Sequence, residues 1–107
     1  TGLAWDGSHL WLADAENAEI HKVDPQSGEV IDSLDAPGDF PEGLAWDGTN
    51  LWNVDAEEGF FKLNPSDGEV LQHINFSPTP EPRGLVWDGA NFWLVDAENG
   101  KILKLEF

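Results

Sequence analysis

Three acidic turns hold the side chains best suited to binding. Asp14-Ala15-Glu16 recurs 41 residues later as Asp55-Ala56-Glu57, and again as Asp96-Ala97-Glu98. Glu19 and Glu58 add carboxylates beside the first two turns. Clustered carboxylates are hard oxygen donors, the ligand type that Ca²⁺ selects. The spacing lacks the Asp-x-Asp-x-Asp-Gly run of a dedicated calcium loop. The competing role is structural, because an Asp heading a turn accepts hydrogen bonds from the amides that follow it. Asp14, Asp55, Asp96, Glu57 and Glu98 therefore stand as candidate binding residues with a scaffold role as the alternative. Apart from Ca²⁺ at these turns, no cofactor is expected.

Glu42 and Arg83 draw attention for the opposite reason. Each directly precedes a Gly-Leu-(Ala/Val)-Trp-Asp-Gly run, at 43–48 and 84–89, and Thr1 holds the same register before the run at 2–7. Variation at an otherwise repeated position is where specificity would reside. A Glu and an Arg in neighbouring repeats would pair with each other or orient a polar ligand. His9, His21 and His73 fall at non-equivalent positions, and no two share metal-ligand spacing. No nearby Ser or Cys completes a nucleophilic set. Neither a catalytic residue nor a metal ligand is assigned.

These residues must be held by short strands. The runs are 41 residues apart, a period that marks stacked or radially arranged units. Within a unit the apolar residues alternate with period 2, and nothing has a helical period. In the second copy, Gly43 to Trp46 reads as a strand with Leu44 and Trp46 on one side, and Asp47-Gly48-Thr49-Asn50 as a hairpin turn. Leu51 to Asp55 and Phe60 to Leu63 follow. Asn64-Pro65-Ser66-Asp67-Gly68 is then a turn, and Glu69 to Phe76 a fourth, alternating strand. The third copy ends with its third strand, Lys101 to Phe107, which makes eleven strands in all. The Trp residues fall at two fixed places per copy and read as packing between units, and Asp6, Asp47 and Asp88 as hairpin chemistry. Asn75-Phe76-Ser77 is a glycosylation triplet, meaningful only in a secretory pathway.

Charge narrows the partners. The 107 residues carry 21 Asp plus Glu against five Lys plus Arg, a net charge of −16. Nucleic acid and anionic membranes would be repelled, so cationic partners or a saline setting fit better. A surface made acidic for solubility alone is the alternative. Hydrophobic content of 40%, with six Trp and six Phe, excludes a disordered tail. Without cysteine there is no disulfide or thiolate metal site. No apolar run approaches the roughly 18 residues of a membrane span.

Four antiparallel strands in about 41 residues is the layout of a β-propeller blade. Residues 41–48, the Leu-Trp-x-x-Asp second strand and the Lys-Leu-Asn-Pro-Ser-Asp-Gly-Glu-Val turn at 62–70 resemble propellers of the NHL, YWTD and SMP-30-like group. The resemblance covers nearly the whole chain and implies an all-β fold of about 2.75 blades. Residues 1–42 would form blade 1, 43–83 blade 2 and 84–107 an incomplete blade 3. The Asp-Ala-Glu turns would then share a face with the connectors that hold Asp39, Glu42, Glu81 and Arg83.

Rings close with about four to eight blades, so two or more copies are expected to associate through their blade flanks. The expected function is a non-enzymatic binding or structural scaffold with an acidic face, outside the cytoplasm or in a periplasm. A fragment of a six- or seven-bladed hydrolase or lyase is the first alternative, and a head-to-tail filament subunit the second. Against catalysis, the inner strands carry Leu, Ala, Val and Trp where metal-dependent SMP-30-like enzymes gather Glu, Asn and Asp.

Overall fold

The computed structural model describes residues 2–75 and 78–106, and every regular element in it is a β-strand. Eleven strands form three antiparallel sheets in simple up-and-down order. The first sheet contains β1 (Leu3–Trp5), β2 (Leu10–Asp14), β3 (Glu19–Val23) and β4 (Val30–Asp35). The second contains β5 (Pro41–Trp46), β6 (Leu51–Asp55), β7 (Gly59–Leu63) and β8 (Val70–Ile74). The third contains β9 (Pro82–Trp87), β10 (Phe92–Asp96) and β11 (Lys101–Leu105). Thr1, Phe76, Ser77 and Phe107 lie outside the described residues. So do the expectations that rest on them: the Thr1 register, the strand ends at Phe76 and Phe107, and the glycosylation triplet.

Local chemistry sets the turns. Gly7, Gly48 and Gly89 take φ of 98°, 102° and 101° at the first hairpin of each sheet, a region that side-chain-bearing residues rarely adopt. The Asp before each Gly caps its own turn: Asp47 Oδ1 accepts the amides of Thr49 and Asn50 at 2.9 and 2.8 Å.

Each sheet is apolar on both faces, and alternation sends successive residues to opposite neighbours. From the first sheet, Ala4, Trp11, Ala13, Ile20 and Leu34 pack on Leu44, Leu51, Phe61 and Leu63 of the second. From the second sheet's other face, Ala45, Trp52, Val54 and Phe60 pack on Leu85, Phe92 and Leu94 of the third. Leu44 and Trp46 do share a side, the one facing the first sheet.

Strand bounds differ from the sequence expectation in two informative places. The inner strand β5 begins at Pro41 instead of Gly43, because a bulge between Pro41 and Gly43 lets Pro41 rejoin the ladder opposite Asp55. A proline is tolerated at such a position, where no ladder amide is needed. The outer strand β8 starts at Val70 instead of Glu69, and its alternation does not translate into burial. Val70, Leu71, Gln72 and His73 are all exposed, and Ile74 alone packs on the second core. Beyond Ile74, β8 touches the interior through His73, whose ring stacks on Phe61 at 4.1 Å.

The inner strands β1, β5 and β9 run side by side and approach closely through glycines. A Cβ on Gly2 would stand 2.6 Å from the Cα of Gly43, and one on Gly43 would stand 2.9 Å from the Arg83 carbonyl oxygen. The repeated Gly before Leu is therefore a packing requirement between sheets.

Candidate functional site

The three repeated Asp residues end β2, β6 and β10 and organise the turns that follow. Asp55 is fully buried, and its Oδ1 accepts the amides of Glu57 and Glu58 at 2.8 and 3.0 Å. Its Oδ2 accepts the amide of Phe40 at 2.9 Å, tying down the connector that enters the second sheet. Asp96 repeats the device with different partners. Its Oδ1 accepts from the Asn99 amide at 3.2 Å and from the Thr79 hydroxyl at 2.7 Å, and its Oδ2 from Asn99 Nδ2 at 2.9 Å. Hydrogen bonds from Asn99 and Thr79 hold the Asp96 carboxyl below its usual range. Asp14 accepts from the Asn17 amide at 3.1 Å and Asn17 Nδ2 at 2.9 Å, and its Oδ2 lies 3.1 Å from His21 Nε2. Hydrogen bonds from Asn17 and then His21 lower its pKa to about 2. Glu57 and Glu98 are exposed on the same turns.

Glu42 and Arg83 are brought together. Arg83 Nη1 lies 3.2 Å from Glu42 Oε2, joining the inner strands of the second and third sheets. Both stand at backbone irregularities. Glu42 is the extra residue between Pro41 and Gly43, and β9 slips register where Leu85 pairs Leu94 but Pro82 pairs Asp96. Bulges re-aim side chains, which is how residues beside an inner strand come to face each other. The Arg83 side chain is half-exposed and Glu42 mostly covered, so the pair contributes about 0–1 kcal/mol to stability and remains accessible to a ligand.

Two features were not foreseen. Each hairpin Asp also clamps the Trp five residues on: Trp11, Trp52 and Trp93 donate Nε1–H to Asp6, Asp47 and Asp88 at 2.8, 2.8 and 2.7 Å. A Lys on the next strand covers the ring in two of the sheets, Lys22 at 5.7 Å from Trp11 and Lys62 at 6.0 Å from Trp52. Burial pushes the Asp6 carboxyl up, but the bonds from Trp11, His9 and Ser8 outweigh it and the net shift is downward. The Asp-to-Trp spacing is constant in all three copies and was available as a signal. The second feature is that hairpin pairing of β2 with β3 sets Asp14 opposite Glu19 and brings His21 onto Asp14. Spacing between histidines alone misses this.

No protein-family model matches the sequence, and no curated protein matches it. Solved structures do match in shape. The chain superposes with a TM-score of 0.77 at 17% identity on Myxococcus xanthus glutaminyl cyclase, over 99% of this chain and 50% of that one. It matches a chain of a nidogen/laminin complex with a TM-score of 0.70 at 20% identity, over 98% of this chain and 47% of that one. The WD40 repeats of RRP9 give 0.64 at 14% identity, over 96% and 35%. These are propeller structures, and the sheets here stack as theirs do. The fold is a partial β-propeller. It comprises about 2.75 blades and spans about half the length of the first two structures.

Seen as blades, the two outward flanks repeat the chemistry of the inward ones. On the outer side of blade 1, Leu3 pairs Leu12 as Leu44 pairs Asn53 in blade 2 and Leu85 pairs Leu94 in blade 3. Leu44 and Asn53 are buried against blade 1, whereas Leu3 is 60% exposed and Trp5 52%. On the outer side of blade 3, Val95 pairs Ile102 as Val54 pairs Phe60 in blade 2 and Ala13 pairs Ile20 in blade 1. Val54 and Phe60 are buried against blade 3, whereas Ile102 is 71% exposed and Val86 56%. Gly84, Leu85, Val86, Trp93, Leu94, Val95 and Ile102 line an apolar hollow of about 250 Å³ on that flank.

Proposed function

We propose that this chain is a non-enzymatic propeller module that assembles with a second copy of itself through its blade flanks and presents an acidic face to a cationic partner. The observation that carries the reading is the flank correspondence. Blade 3 offers outward the face that blade 1 offers to blade 2 and blade 2 to blade 3, while blade 1 offers outward the face that receives it. The same complementary pair is therefore already joined twice inside the molecule. In a two-fold pair, blade 3 of each copy seats on blade 1 of the other, and both outward flanks are covered by two equivalent contacts. Burying such apolar flanks contributes about 25 cal/mol per Å². The net charge of −16 and the exposed Glu57 and Glu98 support a cationic ligand on the connector face, where Asp14, Asp55 and Asp96 shape the turns and Glu42 and Arg83 mark the inner rim.

Light scattering on the purified chain tests this. The expected result is a discrete species near twice 11.8 kDa that Ile102→Glu converts to a folded monomer. Ile102 is solvent-exposed within one chain, so this change leaves the blade itself intact. A second reading has its own observation, the coverage of only about half of the matching propellers. Further blades of a longer polypeptide would then cover the flanks, in a ring that includes enzymatic sites. A monomer at every concentration overturns the two-chain assembly and favours that longer ring. Open-ended growth favours a filament.

A further inference from the structure

We propose that Asp14, Glu19 and His21 form a binding site for a divalent first-row transition ion, represented by Zn²⁺. One ligand atom from each of the three lies within 4.8 Å of the other two. Asp14 ends β2, and Glu19 and His21 stand two apart on β3, on the same face of the paired strands.

Two of the three donors, Glu19 and His21, do not belong to the repeat scaffold. Paired opposite the repeated Asp, blades 2 and 3 place Gly59 and Lys101 where blade 1 has Glu19. Two residues on, they place Phe61 and Leu103 where blade 1 has His21. All three blades differ at both positions, and in blade 1 the two residues converge on one carboxylate. A propeller blade needs neither side chain there, since its two sisters fold without them.

Groups outside the trio already orient two of its members. Ser33 Oγ on β4 lies 2.8 Å from His21 Nδ1, which turns Nε2 toward Asp14 Oδ2. In the metal-free chain Nε2–H donates to Asp14 Oδ2; a bound ion would replace that proton, with the remaining ring proton on Nδ1 donated to Ser33 Oγ. Asn17 holds the Asp14 carboxylate through both its backbone amide and its side-chain amide. Metal-binding histidines are commonly fixed in this way through the nitrogen that does not ligate.

The donor set selects the ion. An imidazole nitrogen with two carboxylates suits Zn²⁺ and its neighbours, whereas Ca²⁺ takes oxygen ligands alone. The Asp14 and His21 side chains keep 21% and 17% of their surface exposed, enough for water to complete the coordination. The ligands all come from one chain, but they share the outward face of blade 1 with Leu12, which pairs His21, so the proposed pair would cover them and the titration is made on the Ile102→Glu monomer.

Calorimetric titration of the EDTA-treated monomer with ZnCl₂ tests the site. The expected result is one Zn²⁺ per chain. Affinity should fall about tenfold or more in His21→Phe, which copies blade 2, and again in the near-isosteric Glu19→Gln. Ser33→Ala should weaken binding without abolishing it. With Co²⁺ as the probe, the visible spectrum of the bound ion should change when His21 is replaced. Three outcomes overturn the site: no Zn²⁺ binding by the Ile102→Glu monomer, equal affinity in His21→Phe and Glu19→Gln, or Ca²⁺ binding as tightly as Zn²⁺ at the same stoichiometry. The last two would mean that the acidic surface holds cations diffusely.

Discussion

A single Asp at the end of each blade's second strand decides how the following turn is built, and its two oxygens have separate tasks. In blades 2 and 3 the carboxylate holds the turn and also the incoming connector, through Phe40 and Thr79. In blade 1 it holds the turn and His21. The bonds from Asn17 and His21 to Asp14 favour its charged form, and its pKa falls from 3.8 to about 2. Because the folded value lies below the unfolded one, the unfolded chain binds more protons between them. The stability from this group is thus fully present above about pH 4 and lost as pH falls toward 2. Thermal melts across that window should show a steeper decline for the unaltered chain than for Asp14→Asn. An identical decline would mean that Asp14 is not a contributor. A second residue-scale prediction concerns Ala18, which sits at φ 53° where the other blades use Gly59 and Gly100. A left-handed Ala costs about 1–2 kcal/mol, partly offset by the entropy that Gly loses on folding. Ala18→Gly should therefore raise stability by about 0.5–1 kcal/mol in denaturant titration, and a lower midpoint would contradict it.

At the scale of the strand and blade, the inner-strand glycines separate folding from assembly. A Cβ on Gly43 would press on the Arg83 carbonyl and on Val54 at 2.9 Å, with no room to move backbone that is paired on its other side. Gly43→Ala should therefore destabilise the fold by about 1–3 kcal/mol. The same change at Gly84 meets only Val95 Cγ2, at an ordinary 3.5 Å. If another blade seats there, Gly84→Ala leaves the melting temperature of a monomer unchanged but weakens the pair, as light scattering would read. Equal assembly by Gly84→Ala and the unaltered chain would argue against blade-on-blade seating. These elements were largely legible beforehand, because Asp-Gly hairpins and Leu-Trp-x-x-Asp strands state their turns and alternation locally. The bulge at Glu42 was not. It depends on Pro41 finding a partner in Asp55 fourteen residues on, a choice made by the sheet and not by the local run. The exposure of β8 was not legible for a related reason, since period 2 reports two faces and not whether anything covers them. The Asp14–Glu19–His21 group was invisible to spacing rules along the chain, although a hairpin register would have placed it.

For the whole molecule, the opposition is between apolar flanks and a surface of net charge −16. Two copies meeting flank to flank bring like charges together, and the repulsion reaches across the contact when the screening length is long. That length is about 30 Å at 0.01 M salt and about 8 Å at 0.15 M. The middle of each flank is apolar, being Leu3, Trp5 and Leu12 on one side and Val86, Val95 and Ile102 on the other, with Asp14, Glu19 and His21 sharing the first face and Lys104 the second. Added salt therefore removes an obstacle without removing the attraction, and sulfate strengthens apolar burial further. The pair should tighten between about 0.02 M and about 0.5 M NaCl, with the dissociation constant falling severalfold in sedimentation or scattering. Binding of a cationic partner to the connector face should move the other way, weakening over the same range. An assembly that loosens with salt would have to rest on ion pairs between copies, and the apolar flanks would then not be what joins them.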